Sequence, residues 1–281
     1  MLFRSGANGY IGAHVVTELL KYPEMFRVVA ASRENNNLTN DVEFVNFDLL
    51  CDAEDETIYD RLGQPDICVH LAWRNGFEHN ALSHITDFHK HFLFLKNLLE
   101  HGTKQLAVAG SFREYGSVNG MVDDETYVKP NNYYTLSKLM LKNALEIVCE
   151  GRACLQWLRP FTVYGDDAHN QSILSKIMRW EAEGKATFPF TDGNEQYDYI
   201  SVYDLAKQIA AIIAQDEISG VIDCCSGKPV RLGDHVEQFL KEHGYHIRPE
   251  YGAFPRREYD SPVIYGDRSK IEKILEKSKL F

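Results

Sequence analysis

Short apolar runs alternate with amphipathic stretches along the first half of this 281-residue chain. The runs Leu2–Ser5, Arg27–Ser32, Val42–Val45, Ile67–Leu71 and Leu106–Ala109 are short and bounded by polar or turn-forming residues, which predicts strands. Between them Tyr10–Lys21, Ala53–Leu62, His79–His101 and Tyr133–Glu150 carry apolar residues at helical spacing, and Cys154–Leu158 follows as a further strand. Strand–helix alternation of this kind predicts an α/β fold, a doubly wound parallel sheet with helices on both faces. Beyond Tyr164 the pattern loosens. Asp166–Asn170 reads as a loop, Ile173–Gly184, Val202–Ala214, Arg231–His243 and Lys270–Lys277 as helices, and Val221–Cys225 as a strand able to return to the sheet. The tail holding Pro249, Pro255 and Pro262 reads as mostly irregular, and Asn35–Asn40 as a polar loop. The expected division is a nucleotide-binding domain over 1–165, rejoined by 202–226, with a smaller C-terminal substrate lobe from 166–201 and 227–281.

The first predicted strand runs into Ser5–Gly12, SGANGYIG, which opens the first helix. Glycine allows the tight turn and close approach of backbone to a pyrophosphate, and the helix N-terminus offers amides and a positive dipole end. The spacing, Gly6, Gly9 and Gly12, departs from the commoner G-x-G-x-x-G, but the strand-to-helix context makes a dinucleotide site of the Rossmann type the better reading than an ordinary turn. At the end of the second strand an acidic residue would favour NAD(H). Ser32 and Arg33 stand there instead, which suits the 2′-phosphate of NADP(H), with NAD(H) as the alternative.

The stretch Asn131–Met140, NNYYTLSKLM, places Tyr134 and Lys138 four residues apart on a helix, with Cβ atoms about 6 Å apart; Tyr133 meets only Ser137. A phenol with an ordinary pKa of ~10 is a poor base, and a fixed ammonium beside it favours the phenolate. The pair could therefore be an acid/base device, or simply a solvated helix face.

Net charge of −11 argues against a general nucleic-acid binder, while a few arginines and backbone amides can still hold a phosphate. No apolar run reaches membrane-spanning length, and Met1–Ser5 leaves no room for a signal peptide. The six cysteines form no C-x-x-C pair and read as thiols of a reducing compartment, so a cytoplasmic location is expected.

Taken in order along the chain, these segments resemble the extended short-chain dehydrogenase/reductase family, also described as the NAD-dependent epimerase/dehydratase family, whose members mostly act on nucleotide sugars. Beside the glycine loop (Gly6, Asn8, Gly9, Tyr10, Ile11, Gly12), Phe47-Asp48-Leu49 resembles the segment whose Asp meets the adenine. His70-Leu71-Ala72 resembles the strand end passing beside the cofactor, and Gly110–Gly116, GSFREYG, the Ser/Thr segment. Pro130–Lys138, Leu158–Gly165, Ile200–Ala206 and Ser226–Lys228 match further family stretches. The resemblance implies that Tyr134 exchanges the proton at a sugar oxygen, that Lys138 lowers its pKa and binds the nicotinamide ribose, and that Ser111 hydrogen-bonds the same oxygen. The cofactor would carry the hydride.

Family dehydratases place acidic residues directly after the Ser/Thr; here Phe112 and Arg113 stand there, and Glu114 is one position too far on. That leaves reduction or epimerisation. The segment His70–Asn80 with GSFREYG resembles the branch reducing nucleotide-linked 4-keto-6-deoxyhexoses, and Arg33 suits an exchangeable NADP(H), so a 4-ketoreductase is expected, with a 4-epimerase holding NAD as runner-up. A non-catalytic NADP(H) sensor is a third reading, disfavoured because Ser111, Tyr134 and Lys138 are all present. Two positions depart from the family: Tyr197 replaces an arginine that meets nucleotide phosphates, shifting that task to Arg256 or Arg257, and His91 replaces an asparagine. Arg113 and Trp73 are further candidates for substrate contact, Trp73 equally suited to packing beside the fourth strand. His79, His84, His89 and His91 read as a solvated or partly buried helix face rather than a metal site, Cys224-Cys225 as buried thiols, and Tyr115 and Tyr164 as structural. By analogy with the family, the helices His79–His101 and Tyr133–Glu150 would form a homodimer contact.

Overall fold

The computed structural model describes residues 2–35, 42–165, 168, 170–256, 260–278 and 280, with the side chains of 2–4 left aside. The Asn35–Asn40 loop beyond its first residue, part of Asp166–Asn170, and Arg257 therefore lie outside the described residues. In chain order the elements are β1 Leu2–Ser5, α1 Tyr10–Leu19, β2 Val28–Ser32, β3 Glu43–Asn46, α2 Leu49–Asp52, α3 Ile58–Arg61, β4 Ile67–His70, α4 Ser83–Thr86, α5 Phe88–His101 and β5 Gln105–Ala109. A 3-10 turn Phe112–Tyr115 follows, then β6 Asn119–Val122, α6 Tyr133–Cys149, β7 Cys154–Pro160, β8 Thr162–Tyr164, α7 Ile173–Ala182, β9 Thr187–Pro189 and β10 Gln196–Ser201. The chain ends with α8 Val202–Ile213, β11 Gly220–Cys224, β12 Pro229–Arg231, α9 Leu232–His243, β13 Arg248–Glu250, β14 Val263–Gly266 and α10 Ser269–Lys277.

Seven parallel strands form the main sheet in the order β11-β7-β5-β4-β1-β2-β3. The expected doubly wound α/β fold is borne out. Strands buried on both faces explain the near-continuous apolar runs. One core layer joins Val15, Val16 and Leu19 of α1 to Leu205, Ile209 and Ile212 of α8; the other joins Phe94 and Leu98 of α5 to Leu141 and Leu145 of α6. The winding direction reverses between β1 and β4, and ligands of such sheets bind in the crevice at that switch point.

Two helices differ from expectation. His79–His101 is broken: α4 ends and α5 begins at Asp87, whose carboxylate is gripped by both ends of the Arg74 guanidinium fork. The expected helix Ala53–Leu62 is realised only as α3, Ile58–Arg61: α2 already ends at Asp52, and an Asp55–Thr57 turn, in which the Thr57 amide donates to the Asp55 carboxylate at 2.9 Å, precedes α3. The C-terminal tail is more ordered than its prolines suggest. β14 pairs with β6 and β10 in a second sheet, with β12 at its edge and β8 beside β10, and β13 pairs with β9.

Candidate active site

The glycine loop sits at the carboxyl end of β1, against the end of β4. Gly6 adopts φ +72°, and a Cβ there would lie 2.8 Å from the Ala72 nitrogen, so both conformation and space require glycine. The Gly9 amide bonds back to the Gly6 carbonyl at 3.1 Å, and Gly9 caps α1 without a side-chain hydrogen bond. The first turn of α1 is therefore presented by backbone alone, which fits a pyrophosphate. Gly12 is buried, and Ile11 and Leu71 pack on the core beneath the loop. Asn8 donates to the Glu34 carbonyl at 3.0 Å, and the Tyr10 hydroxyl donates to the Gly165 carbonyl, tying the loop to β2 and to the segment after β8. Ser32 bonds to the Glu34 carbonyl, and Arg33 is exposed at the strand end. Asp48 accepts from the Leu50 amide at 3.0 Å as the cap of α2, with Leu49 buried behind it.

Ser111, Tyr134 and Lys138 converge on the carboxyl end of β5. Ser111 begins the 3-10 turn, its hydroxyl accepting from the Arg113 amide at 3.2 Å and sharing a hydrogen bond with the Tyr134 phenol. Tyr134 and Lys138 lie one turn apart on α6, whose start is capped by Asn132 and tied by the Tyr134 amide to the His79 carbonyl at 2.9 Å. The Lys138 ammonium, 2% exposed, donates to the Ala109 carbonyl at 2.5 Å and lies 3.8 Å from the centre of the Trp73 ring. Burial pushes Lys138 down to about 7 and Tyr134 up to about 12. Sequence reasoning gave Lys138 the task of lowering Tyr134. In this structure the ammonium sits 5.8 Å from the centre of the phenol ring, and burial, opposed by the Ser111 hydrogen bond and by Arg113, keeps the phenol protonated at neutral pH.

Glu114 is fully buried, and its roles are structural. It accepts from the Ser111 amide at 2.8 Å, completing a capping box, from the Trp157 indole at 3.0 Å and from Arg159 at 2.9 Å. Arg159 lies over the ring of Tyr115, whose hydroxyl donates to Asp223 at 2.8 Å. The S-x-x-E spacing of Ser111–Glu114 was a legible signal for this cap. Tyr115 is indeed buried in packing, as are Cys224 and Cys225.

The histidines differ from expectation. Only His89 is exposed; His79, His84 and His91 are buried around Trp73 and Tyr134. His91 bonds to His70 at 2.8 Å, His70 to Ser5 at 2.6 Å, and His91 stacks on Trp73. His79 lies in the turn before α4, His84 on α4 and His91 on α5, on either side of the break at Asp87. Trp73 thus packs against Lys138, His91 and His84. Tyr197 lies on β10 near Arg113, Asp260 and Arg256. Arg113 pairs with the Asp260 carboxylate at 3.1 Å, and Arg256 donates to the Asp260 carbonyl at 2.8 Å, so two sequence-predicted arginines meet at one residue beside the catalytic candidates.

The NAD dependent epimerase/dehydratase family model matches residues 5–225. The dTDP-6-deoxy-L-talose 4-dehydrogenase (NAD(+)) of Aggregatibacter actinomycetemcomitans is 36% identical over 265 residues, covering 93% of this chain and 97% of that one. The UDP-glucose 4-epimerase of Halalkalibacterium halodurans is 25% identical, covering 96% and 88%. Among solved structures, MoeE5 in complex with UDP-glucuronic acid and NAD aligns with a TM-score of 0.81 at 23% identity, covering 98% of this chain and 92% of that one. The Thermotoga maritima UDP-glucose 4-epimerase with UDP-glucose aligns at 0.82 and 19%, covering 97% and 91%.

Proposed function

The chain belongs to the NAD dependent epimerase/dehydratase family, and from that premise we propose that it reduces the C4 ketone of a nucleoside-diphosphate 4-keto-6-deoxyhexose. The observation carrying this reading is the convergence of Ser111, Tyr134 and Lys138 at the sheet's carboxyl edge, with a phenol that burial keeps protonated. The 36%-identical relative is named for oxidation at C4 of a 6-deoxyhexose; oxidation of that hydroxyl and reduction of that ketone are one reaction in two directions.

When bound, the nicotinamide dinucleotide supplies the hydride. The backbone of Gly6–Gly12 would hold its pyrophosphate, and Asp48 and the ends of β2 and β4 would contact the rest of it. Ser111 orients the ketone oxygen, and Tyr134 donates the proton to that oxygen as the carbinol forms. Lys138 keeps positive charge beside the phenol as it becomes phenolate. Arg113 and Arg256, both bonded to Asp260, would meet the nucleotide phosphates in place of the arginine that Tyr197 replaces. Elimination of water is disfavoured, since Phe112 and Arg113 stand directly after Ser111 where family dehydratases carry acids, and Glu114 is committed to Arg159 and Trp157.

For the cofactor, exposed Arg33 supports NADP(H), whereas the NAD(+) in the relative's name supports NAD(H). The second reading for the reaction is 4-epimerisation, supported by the epimerases among the relatives. The division at 1–165 with 202–226, against 166–201 and 227–281, is proposed as cofactor domain and sugar lobe. The exposed Tyr133, Leu136, Met140 and Ile147 of α6 support a homodimer, and a dimeric mass by light scattering is expected. Six free cysteines fit a reducing, cytoplasmic setting. Among the described residues, no helix is long and apolar enough to cross a membrane.

Reduction with cofactor deuterated at the nicotinamide C4 tests the reaction. A reductase leaves deuterium at the sugar C4 of accumulated product. Isomerised sugar without label transfer from added cofactor means the epimerase reading is right.

A further inference from the structure

Lys138 is a buried ammonium with no ion pair among the described residues. Such a charge needs compensation, because removing an ammonium from water without partners is costly. The compensation visible here is one backbone carbonyl, that of Ala109, and the π face of Trp73 at 3.8 Å. An indole face is the strongest of the aromatic partners for a cation.

The indole is itself held from two sides of the fold. Its N–H donates to Nδ1 of His84 at 3.0 Å. An indole nitrogen can only donate, so Nδ1 of His84 accepts, and its Nε2–H donates to the Glu78 carbonyl at 3.0 Å. His84 is therefore neutral in a single tautomer, and partial burial, pushing its pKa down, keeps it so. The ring stacks on His91 with centroids 4.3 Å apart, and His91 is anchored through His70 to Ser5 beneath the glycine loop.

We propose that Trp73 is a positioning residue, whose π face and the Ala109 carbonyl together seat the Lys138 ammonium while His84 and His91 hold the indole in place. The inference rests on the reading of Tyr134 and Lys138 as the proton-transfer pair. Other groups facing the ammonium are Tyr134 on its own helix, Glu114 of the 3-10 turn, His70 at the end of β4, His84 on α4 and His91 on α5, with Arg74 and Asp87 behind the two helical histidines. Glu114 favours the charge but is already paired with Arg159, the Tyr134 ring stands farther off at 5.8 Å, and Asp87 is paired with Arg74.

The test is an NMR titration of lysine labelled with 13C at Cε, in protein free of cofactor and sugar. Lys138→Met identifies the resonance by its loss. The wild-type midpoint is expected near the lowered value of about 7. Fluorinated tryptophan at position 73 keeps the shape of the ring and weakens its π face, so the midpoint should step down with each fluorine. Trp73→Leu should lower it by about half a pH unit or more, and Trp73→Phe by less. The pH limb of turnover that follows Lys138 should move in the same order. A midpoint unchanged or raised across the fluorinated series overturns the proposal, even if Trp73→Leu fails to fold. The titration needs no substrate, so it decides this point whether or not any nucleotide sugar is turned over.

Discussion

In the proposed mechanism Tyr134 gives up a proton and Lys138 keeps one, and both are set where burial opposes charge. Tyr134→Phe removes the proton donor and leaves the glycine loop untouched. Cofactor affinity measured by fluorescence titration should stay nearly intact, while turnover falls by about 10²–10⁴-fold or more. Near-wild-type turnover would remove Tyr134 from the mechanism. Lys138 carries a stability cost that can be read separately. Its folded pKa of about 7 lies below the unfolded value, so the unfolded chain binds more protons between the two. Stability should therefore rise with pH above about 7, and this contribution is lost as pH falls through the folded value. Lys138→Met should flatten that slope and raise Tm at pH 6, by about 2–4 °C for each kcal/mol gained, while abolishing turnover. Parallel Tm–pH curves for the two proteins would show that the ammonium is not destabilised. At this scale the sequence displayed the Tyr–Lys spacing but not its electrostatics. Burial comes from Trp73, His84 and His91, whose convergence depends on a helix break that periodicity does not reveal.

Among elements, the 3-10 turn after β5 and the end of β2 carry the sharpest consequences. The turn holds Ser111 in register through Glu114, and Glu114 neutralises the buried Arg159. Glu114→Gln leaves that guanidinium unpaired, which should cost about 3–5 kcal/mol and lower Tm on the order of 10 °C in circular dichroism melts. Unchanged Tm with lost turnover would instead make Glu114 a chemical participant. At the end of β2, Arg33→Asp should weaken use of NADPH by about tenfold or more and leave NADH use largely intact, if the guanidinium meets the 2′-phosphate. Equal losses with both cofactors would contradict that role. Most elements around the cofactor crevice were legible, because doubly buried strands leave continuous apolar runs and α1 follows its glycines directly. The short strands β9, β12 and β13 were not. Each spans three residues and contains a proline, Pro189, Pro229 or Pro249, and such strands exist only through their partners.

For the molecule as a whole, α/β alternation predicted the parallel sheet, while its strand order and switch point came from the structure. The C-terminal lobe was obscured because it is assembled from distant segments: β6 near residue 120 pairs with β14 near residue 264. The same interleaving brings Arg113 and Arg256 to Asp260 beside Ser111 and Tyr134, where the proposed cofactor domain and the proposed sugar lobe would meet. That arrangement is suited to a substrate with a charged nucleotide end and a sugar reaching toward the nicotinamide. The most direct measurement follows nicotinamide absorbance while the protein is mixed with NADPH or NADH and a panel of nucleotide-linked 4-keto-6-deoxyhexoses. One mole of reduced cofactor consumed per mole of sugar converted, with at least one member of the panel, is the predicted result. Sugar isomerised with no net consumption of either cofactor would contradict it.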